Sequence, residues 1–222
     1  MSPVSDESES LNRLERRKQR TRSALVKAAK RLIAEGKTNI PVLEITQAAD
    51  VGMGSFYNHF DSKEQLFEAA VADVLDAHGA LLDALTASLE DPAETFATSF
   101  RLTGRLFRRR PQESEILLAN GLMLLSSDRG LAPRALREIE AAAAAGRFQI
   151  EDPKLALAMA GGALLGLGAL LRDDPDRDGA MAADTMTENV LRVFGLSADE
   201  AHAICQYPLP DLDGWGQPDS AA

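Results

Sequence analysis

Residues 40–63 read IPVLEITQAADVGMGSFYNHFDSK. The stretch predicts two short helices joined by a tight turn. The first runs from about Val42 to Ala49, with Glu44, Ile45, Ala48 and Ala49 at helical spacing. Pro41 stands just before it, where a missing N–H costs least. Asp50, Val51 and Gly52 interrupt the pattern. Asp tolerates the left-handed backbone better than most residues, so Asp50 can make the turn. The second helix runs from about Met53 to His59. Ile45, Val51, Phe56 and Phe60 can close a small apolar core, leaving Gly54, Ser55, Tyr57, Asn58 and His59 mostly outward. Two helices of this size around a turn of three or four residues are a helix-turn-helix, whose second helix fits the major groove of DNA.

The Glu44-Ile45 pair, Ala49, Val51 and the run SFYNHFDSKEQLF from Ser55 to Phe67 carry a more specific signal. An aromatic residue, one spacer, His-Phe, a linker pair and Lys at this spacing resembles the N-terminal DNA-binding domain of the TetR (tetracycline-repressor-like) family of bacterial regulators. The motif covers roughly residues 16 to 75, and beyond it the resemblance is one of layout. The family's turn usually carries Gly where Asp50 stands, and Ser or Thr where Gly52 stands. The second departure removes a side-chain cap from the second helix. The resemblance implies that Tyr57, His59 and Lys63 contact backbone phosphates, which position a protein without specifying a sequence. By their own chemistry, Gly54 permits close approach, and Ser55 and Asn58 can reach base edges; Asn pairs bidentately with adenine. For Tyr57 the alternative is an exposed aromatic packed against the first helix.

Charge supports the same end of the chain. The 222 residues carry a net −10, which by itself argues against nucleic acid. Residues 11–63, however, hold eleven Lys and Arg against five acids, a net +6, so the rest carries −16. A basic end on an acidic body directs a polyanion to that end. A helix from about Leu11 to Glu35 precedes the motif and stops at Gly36. Its apolar stripe is Leu25, Ala28, Ala29, Leu32 and Ile33, with Arg20, Lys27 and Arg31 on another face. Such charges can be a solvated surface. Beside a helix-turn-helix they can instead sit over phosphates, and the segment holding Arg13, Arg16 and Arg17 can enter a minor groove. Arg16 and Arg20 are therefore counted with the DNA-contacting candidates.

After the motif, Ser62 followed by Gln65 is a capping box that starts a long helix at Lys63. An exposed helix start bearing Lys63 suits a phosphate. The stripe Phe67, Ala70, Val71, Val74, His78, Leu81, Leu82 and Leu85 continues for more than five turns, which suggests a helix linking two domains. Asp91-Pro92 opens the next helix, which ends in Arg108-Arg109-Arg110; cations at a helix C-terminus explain that cluster more simply than a second nucleic-acid site. Further helices are expected at about 112–125, 133–145, 155–171, 179–194 and 197–205.

Residues 155–171, LALAMAGGALLGLGALL, are unbroken apolar or glycine. Seventeen residues are at the low limit for spanning a membrane, and the flanks are acidic, so a buried helix of a water-soluble domain is the expectation. Its small face (Ala158, Gly162, Gly166, Ala169) lets another helix approach closely. The resemblance implies that the last two long helices of each subunit form a four-helix dimer interface, to which Ala158, Gly162, Gly166, Met186, Val190 and Val193 are assigned.

No catalytic constellation is present. The three histidines lack a ligand pattern, Cys205 stands alone, and no glycine-rich phosphate loop precedes Lys-Ser/Thr, so neither a metal nor a cofactor is expected. Residues able to face a small-molecule cavity are His78, Phe100, Asn120, Met123 and Met159. The plainer reading is that His78 and Asn120 are core polar groups with partners, and that the Phe and Met residues are core.

These readings give an all-α protein. Residues 1–10 form a disordered tail, 11–61 a three-helix helix-turn-helix domain, 62–206 a larger helical ligand-binding and dimerisation domain, and 207–222 a C-terminal tail. The expected function is a homodimeric, non-enzymatic, ligand-responsive transcriptional regulator, more readily a repressor. Its partners are a palindromic double-stranded DNA operator and an apolar or amphipathic effector, with no membrane involved. Without a basic-then-apolar leader it is expected in the cytoplasm, on the nucleoid when DNA-bound. The alternatives are a DNA-architectural protein and a helical protein-interaction module, both without a ligand.

Overall fold

The computed structural model describes residues 4–125 and 130–210. Among the described residues there are ten helices and no strand. They are α1 (Val4–Ala34), α2 (Val42–Ala48), α3 (Met53–Tyr57), α4 (Lys63–Thr86), α5 (Pro92–Arg109), α6 (Pro111–Leu125), α7 (Leu131–Ala144), α8 (Pro153–Asp173), α9 (Gly179–Val193) and α10 (Ala198–Gln206). The architecture is all-α, as the sequence implies. α1 begins at Val4 rather than near Leu11, so residues 4–10 of the expected tail continue the helix. Residues 1–3 and 211–222 of the expected tails lie outside the described residues.

The chain divides into two compact units. The first comprises residues 1–76 and 110–120, the second residues 77–109 and 121–222. The boundary expected at 61/62 therefore falls inside the first unit. α4 contributes residues 63–76 to the first and 77–86 to the second.

In the first unit local signals start and stop the helices. Gly36 takes φ 69°, and the Lys37 N–H returns to the Leu32 carbonyl at 2.8 Å, closing α1 with a left-handed residue. Asp50 takes φ 53°, the conformation expected of it, and lets the Val51 N–H bond the Thr46 carbonyl at 3.0 Å. Ser62 Oγ accepts from the Gln65 N–H at 3.1 Å, while Gln65 Oε1 accepts from the Asp61 N–H at 2.7 Å. The capping box thus closes one residue earlier than the usual reciprocal pair. Leu25, Ala29, Leu32, Ile33, Ile45, Phe56, Phe60, Leu66, Ala70 and Val74 form the core, joined by Ile116 from α6. Val51 is half-buried against it. Each fully buried Leu, Ile or Phe contributes about 1.5–3 kcal/mol, so Ile45 and Phe56 fix the two short helices far more firmly than their lengths could.

The second unit is built around four phenylalanines. Phe96, Phe148 and Phe194 meet with centroids 4.9–5.6 Å apart, and Phe100 lies 6.1 Å from Phe96. Gly104 lets α5 and α9 approach closely: a Cβ there would lie 2.7 Å from Ala183 Cβ. Arg101 and Arg105 of α5 both bind Asp184 of α9, at 2.7 and 2.8 Å, and Arg101 also donates to the Tyr207 carbonyl. Arg108 donates to the Asp174 and Arg177 carbonyls, which gives this basic residue a structural use at the α5 C-terminus. Arg147 bonds both oxygens of Asp91 and reaches Glu200. Asp152 caps α8 and Asp178 caps α9.

Candidate nucleic-acid interface

The first unit presents one basic, open surface made by α1, the α2–α3 turn and the start of α4. α1 positions Arg16 and Arg20, both exposed. Arg31, on the same helix, is occupied structurally: its Nη2 donates to the Ala48 carbonyl at 3.3 Å and so holds the end of α2. Lys30 pairs with Asp73 of α4. Arg31 and Lys30 thus help hold the unit together, and Arg16 and Arg20 are exposed on the same helix.

α3 has five residues, and the helix expected to reach His59 stops at Tyr57. Its N-cap, Gly52, offers no side chain to the first N–H groups. Beyond Tyr57 the N–H groups of His59 and Phe60 both return to the Phe56 carbonyl, at 2.9 and 3.0 Å, and this turn buries Phe60. Gly54 and Asn58 are exposed and Ser55 half-buried. A Cβ at Gly54 would meet nothing within 4 Å, so the surface there is open to an approaching partner. Asn58 is the C-cap residue of α3 rather than part of its last turn. Tyr57 is 59% exposed and stands edge-on to the buried Phe56 ring, centroids 5.2 Å apart.

His59 is half-buried beside two cations of α1. Burial, then the charges of Lys18 and Arg22, push its imidazole below the ordinary histidine value. Arg22 also stacks its guanidinium 5.3 Å over the Phe60 ring. Lys18 and Arg22 are not singled out as contacts by the sequence; the signal is their i, i+4 spacing to each other on α1, which only the approach of Phe60 and His59 makes meaningful. Lys63, at the start of α4, is half-buried with its ammonium on Asn39 Oδ1 (3.2 Å) and the Ile40 carbonyl (3.4 Å). Taken together, the surface offers cations for phosphates around a short helix bearing small and amide side chains.

In the second unit the effector candidates scatter. His78 is buried, its Nε2 3.0 Å from Thr103 Oγ1, whose hydroxyl donates to the Ser99 carbonyl. That hydroxyl oxygen accepts, so Nε2 carries the proton. Phe100 belongs to the aromatic core. Asn120, in the first unit, donates to the Ile116 carbonyl one turn back at 2.8 Å, a satisfied helix amide. Met123 is 73% exposed and Met159 is exposed as well, so neither lines a buried wall. The reason is rotational: an apolar run on α6 or α8 does not tell which side the neighbouring helices cover.

α8 is long and apolar enough to cross a membrane by length and composition, yet 33% of its most apolar stretch is buried within the chain. The expectation of a buried helix fails for its other side. Leu155, Ala158, Met159, Gly162, Gly166 and Leu170 are exposed, and a Cβ at Gly162 or Gly166 would meet nothing within 4 Å. On α9 Val193 is 64% exposed and Met186 half-buried, but Val190 is 4% exposed in the core. Val190 is therefore corrected from interface to core: three residues before Val193, it turns inward to Leu191 and Phe194. Among the described residues no group of three or more His, Cys, Asp or Glu is placed to hold a metal ion.

Comparisons with known proteins match both the N-terminal and the C-terminal parts of the chain. Residues 25–70 match the family described as bacterial regulatory proteins, tetR family. Residues 91–207 match the tetracyclin repressor-like C-terminal domain. No curated protein matches the chain. Among solved structures, RolR without ligand is 32% identical with a TM-score of 0.70, covering 86% of this chain and 98% of its own. RolR in complex with resorcinol is 31% identical with a TM-score of 0.61, covering 89% and 98%. SmeT, the repressor of the Stenotrophomonas maltophilia multidrug efflux pump SmeDEF, is 18% identical with a TM-score of 0.62, covering 78% and 89%, a likeness of fold.

Proposed function

Because this chain belongs to the TetR family of transcriptional regulators, we propose that it is a homodimeric repressor that binds a near-palindromic operator and is released from it by a small molecule. The observation that carries the DNA half is the surface of the first unit, where exposed Gly54, Tyr57 and Asn58 lie beside half-buried His59 and Lys63. Arg16, Arg20, Tyr57, His59 and Lys63 take phosphates; Ser55 and Asn58 read base edges. In the dimer the two α3 helices stand about 34–36 Å apart, one turn of DNA.

The dimer half is supported by the open small-residue face of α8 with Met186 and Val193 of α9. A second copy is the occupant that fits, because a flat strip of Ala and Gly admits a helix backbone at close range. The effector half is supported by RolR, which binds resorcinol and is alike over most of both chains. The effector favours a dimer conformer whose α3 spacing no longer fits DNA, which requires different affinities for the two conformers. Reciprocity requires that DNA weaken effector binding equally.

An electrophoretic shift with the fragment upstream of the chain's own gene tests the reading. Retention of that fragment over scrambled DNA at physiological salt is expected. Equal affinity for both sinks it. Sedimentation of the Gly162→Arg variant, expected as a monomer that no longer retains the fragment, tests the dimer separately.

A further inference from the structure

The helix-turn-helix exposes apolar side chains where a surface meant only for phosphates has no use for them. Leu43 of α2 is 50% exposed and Met53 of α3 42%, and Tyr57 adds its ring. A single exposed apolar residue is ordinary, but these gather on the two short helices of one unit. Met53 and Tyr57, four residues apart, share one side of α3; Gly54 and Asn58, also four apart, share the adjoining side. α3 therefore offers an apolar strip next to bare backbone and an amide. Met53 is also the first residue of α3, and in a helix-turn-helix the opening residues of the second helix are the ones that reach base edges. Glycine stands on both sides of it. A Cβ at Gly54 would meet nothing within 4 Å, and one at Gly52 would meet Ser55 Oγ at 3.9 Å, so the ground on either side of Met53 is open.

What the two helices lack narrows the choice of base. Residues 38–62 contain no Lys and no Arg. The cations that bracket them are engaged by the chain itself. Lys37 Nζ lies 2.8 Å from Glu35 Oε2, and the Lys63 ammonium lies on Asn39 and the Ile40 carbonyl. Guanine is read in the major groove chiefly by Arg or Lys on its O6 and N7, and α2 and α3 have neither to offer. Asn58 suits adenine, and an exposed apolar side chain suits the C5 methyl group of thymine. The Met side chain is unbranched and polarisable, so it adapts to a methyl group better than a stiff side chain does.

We propose that Met53 is a specificity-determining residue that packs on a thymine methyl group, so that the base pairs beneath α3 are recognised as T·A and not as G·C. The assignment rests on the reading of the chain as an operator-binding regulator and gives that reading a base preference. Asn58, on the adjoining side of α3, takes an adenine, so both members of T·A pairs are met by uncharged groups. Roles divide along the surface: the cations of α1 and Lys63 hold phosphates, and the uncharged side chains of α3 choose the bases.

The test begins with selection of bound duplexes from a random pool by the full chain. Wild type should enrich a half-site with a fixed T·A pair, and Met53→Arg should exchange thymine for guanine at that pair alone. The selected duplex is then made with deoxyuridine, which is thymidine without its methyl group. Wild type should lose about fourfold for each methyl removed from an apolar contact, on the order of tenfold over two half-sites. Met53→Ala should bind the thymine and uracil duplexes alike. Because Met53 is exposed, both variants should keep the wild-type urea midpoint, which separates reading from folding. Equal wild-type affinity for the two duplexes, a full thymine preference retained by Met53→Ala, or a half-site fixed by guanine in place of thymine overturns the assignment and leaves the regulator reading standing. Enrichment of no sequence by wild type would sink the regulator reading, and the role of Met53 with it.

Discussion

The Lys63 ammonium sits 3.2 Å from Asn39 Oδ1, so the chain that links α1 to α2 is tied to the first residue of α4. The charge thereby stays at the edge of the basic surface while its long stem is ordered in advance, which lowers the entropy lost when a phosphate arrives. Lys63→Ala should weaken binding to operator and scrambled DNA alike and lower the salt slope by about one unit per contact removed. Titrations at several salt concentrations read this directly; a loss confined to the operator would assign Lys63 to base reading.

Asn58→Ala should behave oppositely. As an exposed C-cap residue with no phosphate charge to offer, Asn58 is expected to discriminate at one base pair by on the order of 1–3 kcal/mol. Binding to a set of single-base operator variants tests it, and a uniform loss across the set would reduce Asn58 to a backbone contact.

His59 gives a pH dependence. With its pKa lowered below the ordinary value by burial, Lys18 and Arg22, the imidazole is neutral at pH 7.5. A DNA phosphate favours the protonated ring, so binding takes up a proton and affinity should rise as pH falls from neutral into the acid range. Over the same interval the free protein loses a little stability, because the fold disfavours the charged ring. His59→Gln should flatten the affinity profile, measured by fluorescence anisotropy between pH 5.5 and 8.

Asp50 at φ 53° sets the α2–α3 turn. Asp50→Val should destabilise the protein by about 1–2 kcal/mol, since a left-handed backbone is costly for a β-branched residue. Asp50→Gly should be neutral or slightly stabilising. Urea midpoints at equal slope distinguish the two.

Asp184 predicts acid sensitivity. Burial alone would raise its carboxyl, but hydrogen bonds from Arg105 and Arg101, with their charges, hold it below the ordinary value. A lowered folded-state pKa gives stability that is complete above the unfolded value of about 3.9 and is lost as pH falls through the folded one. Asp184→Asn should be less stable than wild type at pH 6 and should show a shallower decline toward pH 3. Parallel slopes in urea unfolding would deny Asp184 this role.

The sequence by itself determined the helices, the turn and the family. Those signals act within a few residues: the period of apolar side chains, the Ser62 cap, the left-handed tolerance of Asp50, the glycine after α1. The exposed Tyr57 and Asn58 were legible for the same reason, since a helix of five residues has few ways to hide its core. Tertiary structure decided which face of each long helix is covered. Val190 and Val193 differ by three residues in sequence, yet one lies in the core that holds Phe194 and the other faces solvent. Arg134 reads as one surface charge among many until α4, fifty-one residues away at Asp83, closes over it. Rotation of a helix about its axis costs nothing locally and is fixed only by distant partners, so the ion pair of Arg134 with Asp83 became visible only once α4 and α7 were brought together.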